Sequence, residues 1–135
     1  MCVKVLLADD TAVMRKAIRN LLGHEPEIEL VGEAANFVET VSMTRRFKPQ
    51  VVILDLHMPD SSYLTPMNIS AGLGAYAARV LAISVWNDED TWALAQSYGA
   101  TTLLDKMRLG QKLIPAVMKL ASGSEAERKA LARYN

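Results

Sequence analysis

The run Val51-Val52-Ile53-Leu54 contains no polar residue, and its two valines and isoleucine favour a pleated backbone. A strand with one wet face alternates polar and apolar side chains. A run that does not alternate reads as a strand buried on both faces. Such a strand needs a layer above and below it, which points to helices flanking a parallel sheet. The run ends in Asp55, and Leu56-His57-Met58-Pro59 follow. A second apolar run, Val3-Lys4-Val5-Leu6-Leu7-Ala8, ends in Asp9-Asp10. Open α/β sheets bind ligands in the crevice outside the carboxyl ends of their strands. If these strands are neighbours, three carboxylates meet at one sheet edge.

The rest of the chain keeps the same rhythm. Met14, Ala17, Ile18, Leu21 and Leu22 have helical spacing, and Gly23 is placed to stop that helix. Residues 29–34 read as a short strand. Asn36, with Glu39 three residues on, looks like the N-cap and capping-box partner of a helix carrying Phe37, Val41 and Phe47. Pro49 lies just beyond that helix. Ser61, Ser62, Pro66, Gly72 and Gly74 crowd the place of a third helix, so a short or irregular one is expected within residues 65–78. Residues 80–84 read as a fourth strand. Asn87 and Asp88 offer caps for a helix carrying Leu94, Ala95 and Tyr98 and ended by Gly99. Residues 101–104 read as a fifth strand. A last helix shows Ile114, Val117, Met118 and Ala121 on one face, with Pro115 expected near its first turn. The order βαβαβαβαβα with short connections implies a parallel sheet with helices on both faces.

A chain of 135 residues, half of them apolar, suits one domain with a full core. That domain is expected over residues 1–122. Residues 123–135 open with the capping box Ser124-Glu125-Ala126-Glu127 and are expected to extend the last helix or form a tail. There Arg128, Lys129 and Arg133 interleave with acids, which suits a solvated face better than a nucleic-acid patch. Net charge is zero, which gives no electrostatic pull toward nucleic acid or an anionic membrane. Cys2 is the single cysteine, so a reducing cytosol is the natural compartment and cytoplasmic localisation is expected. No apolar stretch reaches the ~20 residues that span a bilayer. No Cys/His cluster has zinc spacing.

The polar residues past the strand ends define a site. They are Asp9 and Asp10, then Asp55, then Ser84, then Asp105 and Lys106. Close carboxylates repel, so either a proton is retained or a cation sits among them. All-oxygen ligands favour a hard cation such as Mg²⁺, which typically takes carboxylates, water and a phosphate oxygen. A lysine and a hydroxyl opposite it would complete a clamp on a phosphoryl group, and a carboxylate can accept that group as an acyl phosphate. Taken singly, each residue has a plainer explanation. Asp9-Asp10 would cap the first helix, Asp55 would make a turn, and Lys106 would be a solvated surface lysine. The side chains of His57 and His24 read as surface residues. Trp92 and Tyr98 read as partly core.

Asp9-Asp10-Thr11-Ala12-Val13-Met14-Arg15, then Val52-Ile53-Leu54-Asp55-Leu56-His57-Met58-Pro59-Asp60, then Ser84 and Lys106, resemble the receiver domain of two-component response regulators. The resemblance covers residues 3–122. It implies a flavodoxin-like α/β fold with a doubly wound five-stranded sheet in the order 2-1-3-4-5. It implies Asp55 as phosphoacceptor and Mg²⁺ as cofactor. Asp10 would be a direct metal ligand, Asp9 its partner, and His57 would contribute its backbone carbonyl. Ser84 would bind the phosphoryl oxygen and Lys106 would pair with it. The implied partners are a sensor histidine kinase or phosphotransfer protein, and a downstream protein on the face of the fourth helix, fifth strand and fifth helix. A phosphorylation-dependent homodimer is a further expected state. No direct nucleic-acid contact and no membrane contact are expected. The domain would catalyse only its own phosphorylation and dephosphorylation.

Several positions depart from the family. Leu103 stands where an aromatic residue often turns inward on phosphorylation. Met107 replaces the proline often found after the lysine. The glycine expected soon after Met58-Pro59 is absent, with Ser61, Ser62 and Tyr63 nearby. Trp86 occupies a variable position that tunes hydrolysis. Four other functions compete. A larger, DNA-binding regulator would contain this receiver as one part. A pseudo-receiver, a constitutive interaction module, would have lost the acceptor, metal ligands or lysine, and none is lost. An aspartyl phosphohydrolase usually carries Asp-x-Asp and a cap domain. A flavin-binding protein would need a phosphate loop after the first strand, where Asp9-Asp10 would repel phosphate.

Overall fold

A computed structural model describes residues 2–60 and 64–122. Ser61, Ser62, Tyr63 and the segment 123–135, with its capping box, lie outside the described residues. The elements alternate as the apolar pattern predicts. They are β1 (Val3–Ala8), α1 (Ala12–Leu22), β2 (Ile28–Ala34), α2 (Phe37–Phe47), β3 (Val51–Asp55), α3 (Pro66–Gly74), β4 (Arg79–Ser84), α4 (Glu89–Ser97), β5 (Ala100–Asp105) and α5 (Leu109–Ser122). A 3₁₀ turn, Lys106–Arg108, joins β5 to α5. All strand pairs are parallel and the order is β2-β1-β3-β4-β5, the flavodoxin-like order expected.

Every residue of β3 is buried, as its unbroken apolar run requires. Its alternate side chains enter two cores. Val52 and Leu54 join Leu6, Phe37, Ile69, Leu73, Ala95 and Tyr98 under α2, α3 and α4. Val51 and Ile53 join Val5, Leu7, Ile18, Leu22, Leu113 and Val117 under α1 and α5. The period-2 pleat thus sorts one strand between two helical layers.

The helix ends follow local chemistry. The Asn36 side chain accepts from Glu39 N at 2.8 Å, and Glu39 Oε1 accepts from Ala35 N at 2.8 Å, a near-reciprocal box. Asp88 Oδ1 accepts from Thr91 N at 2.8 Å and caps α4. Gly99 follows α4 at φ 90°, and a Cβ there would lie 2.7 Å from Ser70 Oγ, so two reasons require glycine.

Two helix faces differ from the expectation. Phe37, Thr40 and Thr44 are the buried face of α2, while Val41 and Phe47 are only half-buried. The threonines can go inside because each hydroxyl donates to the carbonyl four residues back, at 2.7 and 2.8 Å. The buried line of α5 is Leu109, Leu113, Val117 and Leu120, rotated from the face expected around Ile114 and Met118. Burying Leu109 and Leu113 starts the helix early. Pro115 therefore lies inside α5 rather than near its first turn, on the exposed side.

Candidate functional site

Strand register fixes the site. Ala8 pairs with Leu54, Asp55 with Ile83, and Ser84 with Asp105. The C-terminal ends of β1, β3, β4 and β5 therefore share one edge. Asp9 follows β1, Asp55 ends β3, Ser84 ends β4 and Lys106 follows β5.

Asp9 is fully buried. Its Oδ1 accepts from Thr11 N at 2.9 Å and from Thr11 Oγ1 at 3.1 Å. Thr11, not either aspartate, is the N-cap of α1. Helix capping therefore does not account for Asp9-Asp10. Arg15 reaches back along the first turns and donates from Nη1 to the Asp9 carbonyl at 2.7 Å. Asp10 is exposed at the mouth.

Lys106 lies between the two buried acids. Its Nζ is 2.8 Å from Asp9 Oδ2 and 3.4 Å from Asp55 Oδ1. Loss of water pulls its pKa down, but hydrogen bonding to Asp9 and the charges of Asp55 and Asp9 outweigh this, and the net shift is upward. Asp55 is 2% exposed, and its Oδ1 accepts from His57 N at 3.1 Å. Burial raises its pKa from 3.8 to about 6. The His57 N–H and the Lys106 charge oppose that rise, while Asp9 and Asp10 add to it.

One oxygen each from Asp9, Asp10 and Asp55 lie within 4.8 Å of one another. Asp9 Oδ2 is buried and has Lys106 Nζ, 2.8 Å away, as its ion-pair partner. Three convergent carboxylates beside a single lysine fit a hard, oxygen-seeking cation such as Mg²⁺.

Ser84 is fully buried, and its Oγ accepts from Trp86 N at 3.0 Å. That bond leaves the hydroxyl proton available for another acceptor. The Trp86 ring is 56% exposed and meets the His57 ring edge-on, with centroids 5.0 Å apart. The His57 and His24 side chains are exposed, as expected. Tyr98 is buried and stacks on Phe37 at 5.1 Å. Trp92 is half-buried. With Asn87, Leu103, Arg108 and Lys112 it lines a hollow of about 470 Å³ on the face of α4, β5 and α5.

Two residues carry more than the sequence indicated. Arg15 belonged only to a motif, yet it holds the Asp9 backbone. Asp60 likewise belonged only to a motif, yet its carboxylate accepts from Phe37 N at 2.8 Å and Val38 N at 2.9 Å. No local signal could reveal the second contact, because its partners lie more than twenty residues earlier.

The profile of the response regulator receiver domain matches residues 5–118. The chain belongs to this family. Among curated relatives, this receiver is 34% identical over 106 residues to the protein-glutamate methylesterase/protein-glutamine glutaminase of Pyrococcus horikoshii. The match covers 77% of this chain and 28% of that protein. It is 28% identical over 127 residues to the nitrate/nitrite response regulator NarL of Escherichia coli, covering 94% of this chain and 58% of that one. The signal receiver domain of NarL from Mycobacterium tuberculosis superposes with a TM-score of 0.80 at 26% identity, over 91% of this chain and 98% of that one. The receiver thus spans less than two thirds of the length of these curated relatives. Among its described residues no helix is long and apolar enough to cross a membrane.

Proposed function

We propose that this receiver is a phosphorylation-driven switch that accepts a phosphoryl group on Asp55 from a sensor histidine kinase or a phosphotransfer protein. One observation carries the proposal: oxygens of Asp9, Asp10 and Asp55 converge within 4.8 Å, with Lys106 Nζ 3.4 Å from the acceptor.

Asp9, Asp10, Asp55 and the His57 backbone carbonyl would hold Mg²⁺. When bound, that ion neutralises charge on the phosphoryl oxygens and on the crowded acids. Asp55 acts as the nucleophile. Its carboxylate oxygen forms a bond to phosphorus as the donor's N–P bond breaks, and the imidazole leaves with the electron pair and takes a proton from water. Lys106 is placed to follow the negative charge from the carboxylate to the phosphoryl group. The Ser84 hydroxyl is placed to donate to a phosphoryl oxygen. Hydrolysis reverses the modification: water attacks phosphorus and Asp55 leaves as a carboxylate. The chain catalyses only these steps on itself.

The receiver is assigned to residues 1–122, and residues 123–135 to an extension outside the switch. Output is assigned to the face of α4, β5 and α5, where the hollow beside Trp92 and Leu103 offers a protein partner a mixed seat of apolar side chains and the basic Arg108 and Lys112. Homodimerisation on phosphorylation is a second use of that face. The chain's partial span of its relatives favours one further reading, that this receiver serves as the input of a longer, DNA-binding regulator.

The test is incorporation of phosphate from acetyl phosphate into the purified chain, with Mg²⁺ and with a chelator. Incorporation that requires Mg²⁺ supports the switch. No incorporation under either condition would leave a constitutive interaction module.

A further inference from the structure

The segment leaving β3 has to hold a defined shape. Its His57 N–H donates to Asp55, and its next carbonyl is the one assigned to the metal. Leu56 and Met58 pin it from below, at 1% and 3% exposure. Its far end is fixed by Asp60. Each oxygen of that carboxylate takes one amide of the first turn of α2: Oδ1 accepts from Phe37 N at 2.8 Å and Oδ2 from Val38 N at 2.9 Å. These amides have no partner within the helix, and the helix's positive end favours the negative charge. Asn36 already caps the same helix at Glu39 N. Asp60 therefore adds a tie between α2 and the acceptor loop, whereas Asn36 caps within its own segment.

We propose that Asp60 is a positioning residue for the acceptor site. It clamps the loop of residues 56–60 to the N-terminus of α2 and so holds the His57 backbone against Asp55. This rests on Asp55 being the Mg²⁺-assisted acceptor. It goes further by giving a role to a side chain that touches neither metal nor phosphoryl group. The Phe37 ring, whose amide Asp60 binds, stacks on Tyr98 at the end of α4. The clamp thus also joins the acceptor loop to the helix that borders the output face.

Asp60→Ala, Asp60→Asn and Asn36→Ala test this in the full chain, with Asn36→Ala removing a cap from the same helix without touching the loop. Two readouts separate positioning from mere stability. One is the Mg²⁺ dissociation constant, followed by the fluorescence of Trp86, which packs against His57. The other is hydrogen exchange of the His57 amide without metal. Expected for Asp60→Ala are a dissociation constant raised by about tenfold, in the range for residues that orient metal ligands, and faster His57 exchange. Asp60→Asn keeps one acceptor oxygen and falls between. Asn36→Ala stays within about twofold of wild type while losing melting temperature. Equal shifts in Asp60→Ala and Asn36→Ala, or none in either, would overturn the positioning role. If wild type binds no Mg²⁺, the functional reading fails, and His57 exchange still decides whether Asp60 holds the loop.

Discussion

Asp55 is held nearly dry at the end of β3, and this has a cost that can be measured. Its pKa of about 6 lies above the ordinary 3.8. Between those values the native state keeps a proton that the unfolded chain has released. Stability therefore falls as pH rises through that window, and the deficit is complete above it. Asp55→Asn keeps the shape and removes the charge. Without metal at pH 7 it should be about 1 kcal/mol more stable than wild type, melting ~3–5 °C higher, with the gap closing toward pH 4. Equal melting curves at pH 7 would mean that Lys106 and the His57 amide already compensate the buried charge. Trp86 poses a second question at this scale. Its ring stands beside His57 at the mouth of the site, where it can shield an acyl phosphate from water. Trp86→Asn should shorten the phosphorylated lifetime about threefold, which is ~0.6 kcal/mol of barrier. An unchanged or longer lifetime would remove the shielding role.

Among the elements, α2 and α3 meet where glycine is required. A Cβ at Gly72 would lie 2.8 Å from Val41 Cγ1, and a β-branched valine has little freedom to yield. Gly72→Ala should cost about 1–3 kcal/mol in chemical denaturation. Gly74→Ala, with nothing within 4 Å of its Cβ, should be neutral or gain up to about 1 kcal/mol. Similar values for the pair would contradict the close approach. Here the limits of the sequence are visible. β3 was legible because no polar residue interrupts it, and the capping residues Asn36 and Asp88 were legible because their partners lie three residues on. The buried face of α2 was not legible, since Thr40 and Thr44 count as polar until their back-bonds to the helix are seen. The start of α5 was obscured by Pro115, which suggested a first turn one turn too late. That Asp9, Asp10, Asp55, Ser84 and Lys106 share one sheet edge was legible because strand ends are marked in sequence. Asp60 and Arg15 did not, because their contacts depend on how elements pack.

Over the whole molecule, the sheet edge gathers a charged site, and the proposed output face lies on α4, β5 and α5. Leu103 lies on β5 between the two. It is half-buried against the core beneath α2, α3 and α4, in the place where the family often has an aromatic ring. A short aliphatic side chain has no large ring to swing inward. The Leu103 methyl resonances should therefore shift less on phosphorylation than amides of α4. A dominant shift at Leu103 would restore it as the switch. All of this depends on one covalent event, which intact-mass spectrometry reads directly after incubation with acetyl phosphate and Mg²⁺. Wild type should gain a single phosphoryl group that hydroxylamine removes, and Asp55→Asn should gain none. No addition to wild type, or an addition that persists in Asp55→Asn, would contradict the assignment of Asp55 as the acceptor.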